Sequence, residues 1–200
     1  MDTVDTRWHV GVGDPTFAGW FVCFVYAACA VLCWRAYRSS LYGQRMLERS
    51  APHEAQLQMR LAVGWLGASV LMTLLALNKQ LDLQTWLIEV ARDLAHEQGW
   101  YARRNEVQAE FLAVFAAGGM AVAGLVAWRL KPVAGRLLLP AGGFCVLALF
   151  VLLRAAEFVH VGLRSSALVD DWGWSLEVLG AVMICRGALR STFTTARAQP

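Results

Sequence analysis

The residues with the clearest chemical potential in this sequence are an arginine, a glutamate and a histidine inside one apolar stretch. Arg154, Glu157 and His160 follow one another at intervals of three residues, so on a helix they share one side. They lie near the end of 137–161, LLLPAGGFCVLALFVLLRAAEFVHV, which is long enough to cross a bilayer. Because a charge facing lipid is costly, such residues usually face the protein interior or water. The stretch therefore predicts a polar site inside a membrane bundle.

The composition agrees with a membrane setting. The chain is 58% hydrophobic and 16% charged, whereas a soluble domain carries roughly 25% charged residues. It contains nine Trp, a residue that collects at membrane interfaces. The net charge of +3 includes no dense basic block, so we expect the lipid bilayer, and no nucleic acid, as a partner.

Apolar stretches of spanning length predict an all-α polytopic helix bundle that forms a single transmembrane domain over 1–200. The predicted spans are 17–37, 60–78, 110–129, 137–161 and 172–189.

The segments between and within these spans carry further predictions. Leu83, Trp86, Leu87, Val90, Ala91 and Leu94 recur at helical spacing and predict an interfacial amphipathic helix at 82–98, capped by Gly99. Small residues four apart, at Ala113, Ala117 and Ala121, predict that the third span packs at the centre of the bundle. The basic segment 129–136 predicts a tight turn between the third and fourth spans.

The distribution of Lys and Arg predicts the orientation. With the N-terminus outside, 11 of the 18 Lys and Arg residues lie on the inner side and six on the outer side, and Arg154 lies within a span. The positive-inside rule therefore favours an outer N-terminus and an inner C-terminus.

In this orientation, ionisable and amide side chains from several spans fall at one depth, just beneath the outer headgroups. We expect the ligand-binding residues of a pocket to be Asn78, Lys79, Gln80, Asp82, Arg154, Glu157, His160 and Glu177. Glu110 begins the third span at the same depth. Two other interpretations remain open: an ion pair of Arg154 with Glu157 or Glu177 that only locks helices together, and a metal site.

The metal interpretation rests on one motif. Glu157-x-x-His160 has the spacing found in carboxylate-bridged metal bundles, where two such motifs act with two further Glu. Glu110 and Glu177 would supply the additional carboxylates, although a second motif within the bundle is missing. The five cysteines all lie in apolar stretches and are interpreted as packing residues. The sequence contains no nucleotide-binding, zinc-protease or serine-hydrolase motif.

Several of these residues also carry a resemblance. The run 78–84, NKQLDLQ, followed by Gly99-Trp100-Tyr101 and Arg103-Arg104, resembles a family of small, uncharacterised bacterial integral membrane proteins. The Arg154 to His160 segment is similar as well, and the likeness covers about half of the chain. It implies a bacterial inner-membrane location and a functional outer layer, and it supplies no activity.

The sequence leaves three functional hypotheses. The first is a binding or transport component, or an accessory subunit of a membrane complex, in which Arg154 holds an anionic group, Glu157 and His160 accept a cation or a proton, and Lys79 and Asp82 gate entry. The second is a metal-dependent membrane enzyme, with a divalent or transition metal held by Glu110, Glu157, His160 and Glu177. The third is a purely structural subunit. Outside the second hypothesis no cofactor is expected, and the partner would be a membrane protein or a second copy of the chain.

Overall fold

The computed structural model describes residues 16–81, 86, 90, 93–94, 96–99, 103–158 and 166–197, and these contain helices and no strand. The helices are α1 (Phe17–Leu47), α2 (Pro52–Leu81), α3 (Arg104–Leu130), α4 (Ala134–Phe158) and α5 (Ser166–Arg197). A single 3-10 turn, Lys131–Val133, joins α3 to α4. The predicted all-α class is confirmed.

The helix ends show why α1 and α2 form a hairpin. Thr16 caps α1, because its hydroxyl accepts a hydrogen bond from the Gly19 N–H at 3.1 Å. After Leu47 the chain turns within a few residues, and α2 begins at Pro52, a residue whose missing N–H costs nothing in the first helical turn. Both helices run well beyond the predicted apolar spans, since polar residues continue the helical backbone outside the apolar stretch.

The core lies where α1 contacts α2 on one side and α5 on the other, and α5 in turn packs against α4. One stripe of α1 is buried along most of its length. Its members are Gly19, Val22, Tyr26, Cys29, Ala30, Cys33, Ala36 and Ser40. Trp65 and Met72 of α2 and Ile184 of α5 complete the core as fully buried side chains.

Two glycines let α4 and α5 approach most closely. A Cβ on Gly143 would lie 2.5 Å from the carbonyl oxygen of Gly180, and a Cβ on Gly180 would lie 2.7 Å from the Leu147 side chain. Helix backbones in lipid approach this closely only where the contacting residues are small. The close helix contact is thus between α4 and α5, rather than on α3.

The predicted central position of α3 is wrong. Its large apolar side chains are exposed along the whole helix, including Val114 (73% exposed), Met120 (70%) and Trp128 (68%). α3 contacts the rest of the described chain only weakly, and a Cβ added to Gly118, Gly119 or Gly124 would meet nothing within 4 Å. Small residues permit close packing but supply no attraction of their own, so their spacing could not place the helix.

The predicted turn at 129–136 and the predicted number of spans also need correction. The chain passes from α3 to α4 through the 3-10 turn, and the two helices scarcely contact each other. Within the described residues, the segments long and apolar enough to cross a membrane are Phe17–Leu47, Pro52–Leu81 and Ala109–Leu153. The count of five spans is therefore not supported: the predicted third and fourth spans fall in one apolar segment. α5 is not among the three because Glu177 and Arg186 lower its hydropathy.

The predicted interfacial helix is only partly described. Trp86, Val90 and Leu94, three members of its apolar face, are exposed. Gly99 has φ of 73°, and its N–H donates to the His96 carbonyl at 3.3 Å, as expected at a helix C-terminus.

Candidate functional site

A buried carboxylate joins three helices at one end of the bundle. Glu177 of α5 is 4% exposed. Its Oε1 accepts a hydrogen bond from the Tyr26 hydroxyl of α1 at 3.0 Å, and its Oε2 lies 3.1 Å from the Lys79 Nζ of α2. Both carboxylate oxygens are thus occupied, one by a neutral donor and one by a cation. We call Tyr26, Lys79 and Glu177 the polar network.

The packing of the helices explains why these side chains meet. In the α1–α2 hairpin, the Cys23 thiol donates to the Ala76 carbonyl and the Ser69 hydroxyl donates to the Ala30 carbonyl. These bonds fix an antiparallel register that brings the end of α2 beside the beginning of α1. On the other side of α1, the Cys29 thiol donates to the Ala181 carbonyl one turn beyond Glu177. α1 and α5 therefore run in the same direction, with Tyr26 level with Glu177.

Within the polar network, the Lys79 ammonium group balances the charge of the Glu177 carboxylate. Removing a carboxylate from water costs several kcal/mol unless a cation and hydrogen-bond donors compensate it, and Lys79 and Tyr26 supply both. The Lys79 side chain remains 24% exposed, whereas that of Glu177 is 6% exposed. Solvent therefore reaches the polar network at the Lys79 side chain, whereas the Glu177 carboxylate is buried.

Gln80, the next residue along α2, is left unsatisfied. Its side-chain Nε2 and Oε1 are both buried, and neither has a hydrogen-bond partner. A buried amide without partners costs about 1–3 kcal/mol. It follows that a donor and an acceptor remain unused at the same end of α2 as Lys79.

The predicted site residues have different positions. Lys79 and Glu177 come together, while the neighbouring Asn78 is exposed. Arg154 and Glu157 belong to α4, but their side chains lie outside the described residues, as do Asp82 and His160. Among the described side chains, Lys79 and Tyr26 contact Glu177. The predicted ion pair of Arg154 with Glu157 or Glu177 lies outside the described residues and stays a prediction.

The metal site remains a prediction. Glu110 is exposed on α3, and Glu177 is engaged in the polar network. In the part of the chain that the structure describes, no three His, Cys, Asp or Glu side chains are arranged to hold a metal ion. Glu157 and His160 are not tested by that observation.

Tyr26 is the member of the network that the sequence analysis missed. A signal for it exists: Tyr26, Cys29 and Cys33 recur at intervals of three and four residues in the apolar first half of α1. This period places the three side chains on one face of the helix. Such a face in lipid indicates contact with other helices rather than with acyl chains.

No family model matches the chain, and no curated protein or solved structure is significantly similar to it.

Proposed function

We propose that this chain is a small membrane protein that binds a polar ligand at the polar network and serves as a binding or transport component or as an accessory subunit of a membrane complex. The observation that carries the proposal is the burial of Glu177 between Tyr26 and Lys79. Ionisable groups within membrane helices are rare because they are costly, and they usually mark ligand or ion pathways.

A purely structural role explains the network less well. A buried ion pair contributes little net stability, since apolar side chains of similar volume often replace it without loss. The unsatisfied amide of Gln80 adds a cost that a lock between helices does not require. A ligand with both donor and acceptor groups would satisfy that amide.

The proposed location and orientation have different grounds. We place the protein in a bacterial inner membrane because of the resemblance carried by 78–84 and 99–104. We place its N-terminus outside because Lys and Arg are concentrated at the opposite ends of the helices. The polar network then lies near the outer leaflet. α5 packs along α1 and α4, so we place α5 in the membrane as well. The exposed apolar surface of α3 would face lipid or a membrane protein partner.

The test compares the purified protein with Glu177→Gln and Lys79→Met variants. Native mass spectrometry after mild detergent extraction would detect a co-purified small molecule. Thermal unfolding would be followed with sodium chloride, sodium phosphate and glycine as cation, anion and zwitterion probes. We expect a bound mass, or a saturable rise in unfolding temperature with one probe, that both variants lose.

The matched control is Arg103→Gln, which removes one charge from the exposed Arg103–Glu106 pair on α3. This variant should retain the ligand. If the wild type carries no bound mass and responds to no probe, while the two network variants lose only stability, the network is structural and the proposal fails.

A further inference from the structure

A group of basic residues outside the polar network lies in the middle of the apolar segment Ala109–Leu153. The segment contains 45 residues. As a helix it would measure about 68 Å, against about 30 Å for the hydrocarbon core of a bilayer. A single crossing would therefore leave about half of the segment outside the hydrocarbon core.

That midpoint coincides with a change in structure and a group of cations. Between 111 and 153, Arg129, Lys131 and Arg136 are the only charged residues. They bracket the 3-10 turn Lys131–Val133. Because charges avoid the hydrocarbon core, we place the turn at the level of the lipid headgroups.

A second helix brings a further cation to this turn. Arg60, near the beginning of α2, donates from Nη1 to the Arg129 carbonyl oxygen at 2.7 Å. We call Arg60, Arg129, Lys131 and Arg136 the basic turn. A Cβ on Gly187 would lie 2.7 Å from Pro140, one turn into α4 beyond Arg136. This contact brings the part of α5 that carries Arg186 and Arg190 to the same end.

The basic turn is not neutralised within the described chain. None of its members forms an ion pair there: the described pairs are Lys79–Glu177 and Arg103–Glu106. Glu48 and Glu54, at the α1–α2 connection, are the acidic residues nearest to Arg60 in sequence. The Arg129 guanidinium lies 5.6 Å from the centre of the Trp128 ring, and an exposed Trp beside a cation is typical of the headgroup region.

We propose that the basic turn is a binding site for the phosphate of an anionic phospholipid. Basic groups between membrane helices at the headgroup level are suited to this ligand. Arg and Lys supply charged N–H donors to phosphate oxygens, and Arg60 holds the end of α3 against α2 so that cations from separate parts of the chain converge. The acyl chains would lie along exposed apolar side chains near the start of α4, such as Leu138.

The experiment measures lipid selectivity. The full chain would be placed in mixed micelles with equal amounts of phosphatidylglycerol and phosphatidylcholine, and bound lipids would be counted by native mass spectrometry. We expect the wild type to prefer phosphatidylglycerol. Arg136→Gln should lower that preference about fivefold, from about 1 kcal/mol per basic residue, and Arg129→Gln/Arg136→Gln should lower it further.

Arg103→Gln is the matched control, because it removes the same charge at the other end of α3. Its preference should equal that of the wild type. Equal losses in Arg103→Gln and Arg136→Gln would show non-specific attraction and overturn the site, as would a wild type without preference. Inorganic phosphate forms a separate arm: if it displaces phosphatidylglycerol at millimolar concentration, the site binds phosphate generally and the lipid assignment is wrong. A circular dichroism spectrum of each variant checks that the helices are intact.

Discussion

The seam along which α1 meets α2 and α5 differs from α3 in what its side chains contact, although both regions are apolar and contain many small residues. The seam buries the polar network, and the Ser69 hydroxyl donates across it to the Ala30 carbonyl at 2.9 Å. α3 leaves its apolar side chains exposed. In lipid, apolar surface alone does not hold helices together, whereas hydrogen bonds and close packing do. Polar contacts and close backbone approach, rather than hydropathy, therefore determine which helices associate.

The largest expected effect comes from separating the buried pair. Lys79→Met leaves the Glu177 carboxylate without its cation, and we expect a loss of about 3–5 kcal/mol in the free energy of unfolding. Replacing both partners, Lys79→Leu/Glu177→Leu, should restore most of that loss because no charge remains buried. The measurement is unfolding by sodium dodecyl sulfate in mixed micelles.

The exposed pair on α3 is the control for this experiment. Arg103 and Glu106 have side chains that are 72% and 68% exposed, so Arg103→Met should cost less than about 1 kcal/mol. Equal costs for Lys79→Met and Arg103→Met would show that burial does not distinguish the two regions.

Glycine substitutions give an intermediate effect. Gly143→Ala would place a Cβ 2.5 Å from the Gly180 carbonyl oxygen, and since two backbones must separate, we expect destabilisation of about 1–3 kcal/mol. Gly119→Ala meets nothing within 4 Å and should be neutral or stabilising by up to about 1 kcal/mol, because Ala favours the helix. Destabilisation by Gly119→Ala comparable to that by Gly143→Ala would mean that α3 packs against another helix in the membrane.

The smallest effects concern two buried serines in the α1–α2 hairpin, and they should differ in sign. Ser69→Ala removes the bond to the Ala30 carbonyl and should cost about 1 kcal/mol. The Ser40 hydroxyl is buried and has no hydrogen-bond partner, so Ser40→Ala should stabilise the fold by a similar amount. Thermal unfolding of both variants in one detergent measures the difference. A loss of stability in Ser40→Ala would indicate a bound water at that position.

Part of the site followed from the sequence and part did not. Counting helical rise along the predicted spans places Lys79 and Glu177 at one depth, and in the structure they form an ion pair at 3.1 Å. The depth of a residue in the membrane depends only on its position along its own helix, so it can be predicted from the sequence. The contact of Lys79 and Tyr26 with Glu177 depends on the rotation of α1, α2 and α5 about their axes, which their neighbours set.

The same limit explains the errors in the fold. The Ala and Gly residues of α3 resemble the glycines of α4 and α5 in type, yet only the second set lies at a backbone contact. Arg129, Lys131 and Arg136 indicated a break in the apolar sequence, but a break in hydropathy does not specify a hairpin. The helical backbone continued because the one proline there, Pro132, lies in the 3-10 turn, where its missing N–H is tolerated.

The apolar helices suited to a bilayer, and the acids and bases near their ends, can be read from the sequence because hydropathy and helical rise are local properties. The folded structure is needed to see that Tyr26 contacts Glu177, that Gln80 is left unsatisfied and that α3 makes few contacts with the other described helices. These outcomes depend on which sides of the helices pack against one another. That choice is made by contacts between residues as far apart as Tyr26 and Glu177, and no local pattern encodes it.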